Sequence, residues 1–137
     1  DALRKYISEK GIDNVEATGE FDFARTLEQY RDADMVLSMY GNGSPYWDYA
    51  LANKLYFAAQ LGLPILVCAD TAMAEFTEKY DLGIAIDPGI RQSKDKVAEL
   101  FEPRIVSKRE AGRQSFLSKV QMDNGRTFSD ITEFFDI

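Results

Sequence analysis

Three short runs, Met35–Tyr40 (MVLSMY), Ile65–Cys68 (ILVC) and Gly83–Ile86 (GIAI), constrain this chain most. None of them alternates apolar with polar residues, as a strand with one wet face would. Each is followed by a stretch in which apolar residues recur at helical spacing. Apolar strands interleaved with helices specify a parallel sheet covered on both faces, a Rossmann-like α/β domain. A fourth short strand is expected near Val15–Thr18. The expected helices are an opening one stopped by Gly11 and a second capped by Asp22, with Phe23, Leu27 and Tyr30 inward. A long helix over 48–61 follows, then one capped by Asp70 or Thr71, one over 94–102 and one from Pro103 to about Gln121. MDNGR is read as a break before a last short helix, TFSDITEFF.

At 137 residues the chain is long enough for one domain with a real core. The composition, 45% hydrophobic and 28% charged, is that of a globular protein and excludes a disordered or collagen-like one. No apolar run reaches the ~20 residues of a membrane span. The single cysteine, Cys68, lies in an apolar strand, so a disulfide framework is excluded and a cytoplasmic location is expected. A net charge of −7 argues against a broad nucleic-acid surface but leaves room for a small anion on a local cluster. With no histidine, chemistry done by this chain would fall to Asp, Glu, Lys or Tyr. The chain opens on a helical pattern without Met and reads as part of a longer protein.

In open parallel sheets, ligands sit at the carboxyl ends of the strands, where the next helix begins. That address is the loop GNGSPYW and the start of the 48–61 helix, which carries Asn53 and Lys54. A helix start offers unpaired N–H groups and partial positive charge, and a glycine-flanked loop lets the backbone approach a phosphate. Lys54 adds a full charge, Asn53 can bond a phosphate or a ribose hydroxyl, and Tyr40, Tyr46, Trp47 and Tyr49 offer flat faces. The same residues also read as a solvated helix face beside core aromatics, and the pattern leaves both readings open. Glu75 and Glu78 read as ligand-facing or as solvated surface. The basic stretch Arg104–Lys119 reads as a polar outer face, or as a peripheral contact with an anionic membrane or a partner domain. Phe128, Ile131 and Phe135 form one apolar stripe, expected to pack on the domain or on an absent part.

The run DADMVLSMYGNGSPYWDYALANKLYFAAQLGLPILVCADTAMAEFTEKYDLGIAID resembles the donor-binding half of GT-B glycosyltransferases. It is most similar to bacterial group-1 enzymes of the galactofuranosyl or glucosyl branch. The matching pieces come in order: a buried strand introduced by Ala33-Asp34, a polar loop, a helix bearing NKL, Gly62-Leu63-Pro64, a strand, a helix with AEF, and LGIAID. The preceding VEATGEFDFARTLEQYRDAD also fits, so the resemblance covers about two-thirds of the chain.

The resemblance implies a two-domain enzyme in which residues 1–102 form the nucleotide-sugar domain and 103–137 are helices packing on it or on the absent N-terminal domain. It implies a nucleotide-sugar donor, a glycan or glycoprotein acceptor, and no metal or other cofactor. Asn53 and Lys54 would approach the ribose and diphosphate. Tyr40, Gly41 and Asn42 match the loop beside the nucleotide, and Glu75 a junction framing the donor. Two glutamates found in many relatives would fall at Tyr49 and Phe57, where this chain has none. Such domains also open with two further strands not visible here, so an open sheet edge, self-association and no transferase activity from this chain alone are expected. The rivals are a non-catalytic flavodoxin- or receiver-like module and a GT-B nucleotide-sugar epimerase. The receiver's acidic cluster, the flavodoxin's hydroxyl-rich loop and the epimerase's carboxylates are not found.

Overall fold

A computed structural model describes residues 2–87 and 94–135 and divides the chain into two units, Asp1–Arg31 and Asp32–Ile137. In the first unit, helix α1 (Ala2–Glu9) ends where Gly11 takes a positive φ of 60° and Ile12 N–H donates back to Ile7 O. Residues 15–18, expected as a strand, are not one. Arg4 donates to the carbonyls of Ala17 and Thr18, so these acceptors are met by a guanidinium rather than by a ladder. Asp22 does cap the next element, accepting from Ala24 N–H at 2.9 Å, but Phe23–Tyr30 forms a 3-10 helix. Phe23 and Leu27 are exposed rather than inward.

The second unit holds strands β1 (Val36–Ser38), β2 (Ile65–Cys68) and β3 (Gly83–Ile86) in a parallel sheet, ordered β1-β2-β3. Among the described residues the sheet thus has three strands, where four were expected. β2 and β3 have the bounds their apolar runs indicate. β1 is shorter than Met35–Tyr40, because the chain turns into the glycine loop after Ser38. Helix α3 (Asn53–Leu61) crosses from β1 to β2, and α4 (Ala72–Lys79) from β2 to β3. Such crossovers are right-handed, which places both helices on one face of the sheet. Their inward side chains and those of β2 make the core: Leu55, Ile65, Val67 and Leu82 are at most 2% exposed. Each such side chain contributes about 1.5–3 kcal/mol of burial energy.

The expected 48–61 helix is two pieces. Pro45 opens a single turn, α2 (Pro45–Asp48), closed by Asp48, whose carboxylate accepts from Gly43 N–H at 2.9 Å. The chain then extends through Ala52 (φ −77°, ψ 146°) before α3 begins. Thr71, not Asp70, caps α4, accepting from Ala74 N–H at 3.1 Å.

After α5 (Lys94–Glu99) comes one helix of 33 residues, α6 (Pro103–Phe135), with no break at MDNGR. A lone glycine costs a helix only about 1 kcal/mol, and a Lys119–Asp123 ion pair supports the turn that leads into this stretch. α6 crosses the last turns of α3 and α4. A Cβ on Gly112 would stand 1.8 Å from Tyr80 O, so only glycine allows this approach. Phe116 packs edge-on against Phe76 and Tyr80. The Arg113 guanidinium donates to Ala59 O in the last turn of α3, where the helix dipole favours a cation. Arg109, buried, donates to Leu100 O at 2.8 Å, and its burial lowers its pKa.

Candidate functional site

The carboxyl end of the sheet carries a cavity of about 280 Å³. Its walls come from the end of β1 (Ser38), the loop behind it (Tyr40, Gly41), α2 (Tyr46, Trp47), the end of β2 (Cys68) and the start of α4 (Thr71, Met73). This is the address that strand polarity specifies.

The loop is held by short bonds to β2. Gly41 N–H donates to Cys68 Sγ at 3.1 Å, and the Asn42 side-chain amide donates to Ala69 O at 3.1 Å. Gly41 has φ +90°, a conformation side chains oppose, which lets the loop double back at this point. Tyr40 and Trp47 stack nearly parallel, 5.1 Å apart with 7° between planes, and Tyr46 meets Trp47 edge-on at 4.7 Å. The aromatic wall is therefore held in place by its own ring contacts. Thr71 hydroxyl donates to Cys68 O at 2.8 Å, joining β2 to the α4 cap. One polar group on the lining is unmet: the Ser38 hydroxyl is buried and has no hydrogen-bond partner.

Of the expected residues, Tyr40, Gly41, Tyr46 and Trp47 line the cavity; Asn42, Tyr49, Asn53, Lys54, Phe57 and Glu75 do not. Asn42 secures the loop. Lys54, half-buried, is a rim residue rather than a wall residue: its Nζ lies 5.4 Å from the Tyr40 ring centroid and donates to Leu37 O at 3.1 Å. Val36 N–H bonds to Pro64 O on β2, so Leu37, one residue on, turns its backbone groups to the other side of β1. The ammonium thus covers an acceptor on the outer margin of the sheet, a recognised way of blunting an edge strand. Asn53 is exposed at the first position of α3, Tyr49 is 80% exposed, Phe57 is half-buried on α3, and Glu75 is exposed in the first turn of α4.

Ser38 and Met73 were not singled out from the sequence, and Thr71 was expected only as a helix cap. Ser38 had a signal, as the one hydroxyl in an otherwise apolar strand next to its carboxyl end.

Several basic residues of α6 are engaged within the chain. Lys108 pairs with Asp81 at 2.6 Å, Arg113 with Glu110 at 2.6 Å, and Lys119 with Asp123. Among the described residues no helix is long and apolar enough to cross a membrane, and no group of three or more Asp, Glu or Cys side chains is placed to hold a metal ion.

No protein-family model, no curated protein and no solved structure matches this chain.

Proposed function

We propose that the cavity at the ends of β1 and β2 receives the nucleoside part of a nucleoside-diphosphate sugar. The chain then serves as the donor-binding half of a glycosyltransferase acting on a glycan or glycoconjugate acceptor. One observation carries this reading: an aromatic-walled cavity stands where adjacent parallel strands end and two helices begin. Its volume suits a base or a sugar ring rather than a large ligand. The free edge and faces of the Tyr40–Trp47 stack offer flat apolar contact, and the orphaned Ser38 hydroxyl offers a polar one.

The diphosphate would lie toward α3. Its N-cap is Ala52, which has no side chain to satisfy the first-turn N–H groups. Lys54 lies on that turn, and a rotation off the Leu37 carbonyl carries its ammonium toward an anion there. In the transfer, the acceptor hydroxyl bonds to the anomeric carbon and loses its proton, while the bond from that carbon to the diphosphate oxygen breaks and takes its electrons with it. The helix start and the ammonium would stabilise that growing negative charge. The acceptor and its base belong to a part of the enzyme outside this chain.

Calorimetric titration with uridine, guanosine and adenosine diphosphates tests the reading. One of them binds the wild type. Lys54→Ala weakens it about tenfold, or ~1.4 kcal/mol. Trp47→Ala weakens the nucleoside without phosphate as well, because stacking is worth about 1–3 kcal/mol. Failure of all three diphosphates to bind would remove the proposal.

A further inference from the structure

Sulfur gathers at the carboxyl end of this sheet. The chain has one cysteine and four methionines. Ser38 pairs with Val67 across β1 and β2, so the next residue on each strand, Met39 and Cys68, fall opposite one another. Their sulfurs are 4.0 Å apart. Met73, in the first turn of α4, lines the cavity together with Cys68. Cys68 and Met73 are buried, while Met39 is 36% exposed and gives the sulfurs an approach from solvent.

Buried sulfur is ordinary core material, but three further observations suit a metal ion. Two metal–sulfur bonds of about 2.3 Å span the 4.0 Å when they enclose roughly 120°, the angle of a three-coordinate ion. Gly41 N–H donates to Cys68 Sγ at 3.1 Å, the kind of outer hydrogen bond that orients a ligating group. The same cavity carries the Ser38 hydroxyl, 3% exposed and without a partner, which can bond a water or small anion on the open side of a bound ion.

The donor set then selects the metal. Calcium and magnesium want oxygen ligands, and structural zinc wants four ligands drawn mainly from cysteine and histidine. One thiolate with thioethers is a soft set of low coordination number, which suits Cu(I). We propose that Cys68, Met39 and Met73 form a Cu(I) site at the carboxyl ends of β1 and β2. On binding, the Cys68 thiol releases its proton to water, and the thiolate and the two thioethers each donate an electron pair to the ion. No oxidation state changes. Met73 Sδ accepts from Ala52 N–H at 3.4 Å, which leaves its second lone pair for the metal. The site needs neither Lys54 nor an anion, and its test uses no nucleotide, so it stands or falls separately from the nucleotide reading.

Anaerobic titration of the 137-residue chain with Cu(I), against a chromophoric Cu(I) chelator, tests the proposal. The chain takes up one equivalent, and X-ray absorption shows a first shell of sulfur alone at about 2.3 Å. Met39→Leu, at a part-exposed position, weakens uptake by more than the roughly tenfold that an outer hydrogen-bond partner is worth. Met122→Leu, a methionine 57% exposed on α6, leaves uptake unchanged. Cys68→Ala abolishes it, with circular dichroism reporting whether the fold persists; if that variant unfolds, Met39→Leu still decides. No uptake against the chelator, a shell of oxygen or nitrogen, or uptake indifferent to Met39→Leu overturns the proposal.

Discussion

Thr77 is fully buried in α4, and its hydroxyl has no hydrogen-bond partner. An unpaired buried hydroxyl opposes folding, and valine keeps the shape without it. Thr77→Val is therefore expected to raise unfolding stability by about 1 kcal/mol in urea denaturation; a loss of stability would mean the hydroxyl is engaged after all. Ser38 shares the same orphaned state, but it lines the cavity and Thr77 does not. Glu110 is a third case in which one residue's surroundings determine its chemistry. Hydrogen bonds from Arg113, then Gln114, hold its pKa down to about 2 from an ordinary 4.5. Because the folded value is the lower one, the contribution to stability is present above pH 4.5 and is lost as pH falls toward 2. Glu110→Gln should flatten that part of a stability–pH curve and lower the neutral plateau by the same amount, a small one for an exposed pair. An unaltered acid limb would show that the pair adds nothing.

Among elements, α6 departs most from what its residues suggest. Asn124-Gly125 looks like a stop, yet the helix passes through, because a glycine's cost is small beside the continuity of turns on either side. Gly112 has the opposite character, being required by the approach of α6 to Tyr80 O rather than tolerated. Gly112→Ala is expected to cost about 1–3 kcal/mol by chemical denaturation, the range for overpacking, whereas Gly125→Ala, facing open space, should not. Equal effects at the two positions would refute this account of the crossing. The 48–61 segment shows the converse error of periodicity. Tyr49, Leu51 and Ala52 carry a helical rhythm across a place where Asp48 folds back on Gly43 and Ala52 is extended. The rhythm records apolar spacing, and the loop's hydrogen bonds override it.

For the molecule as a whole, the legible parts were those fixed by local chemistry. ILVC and GIAI show their strands because only burial on a parallel sheet suits four unalternating apolar residues, and Asp22 and the Asp70–Thr71 pair show their helix starts. Strand polarity then located the cavity. The fate of VEAT was not legible, because a guanidinium from another segment took its carbonyls, a long-range pairing no window contains. Lys54 was half legible: its place near the rim follows from sequence order, but its bond to Leu37 O depends on which edge of the sheet stays unpaired.

The bracing of α6 against Ala59 and Tyr80 lies at the amino ends of β2 and β3, roughly 13 Å along the strands from the aromatic wall at the carboxyl ends of β1 and β2. Bracing and cavity are thereby housed at opposite poles. Changes to the lining of the mouth leave the keel untouched, so the cavity can be reshaped without making the scaffold more fragile.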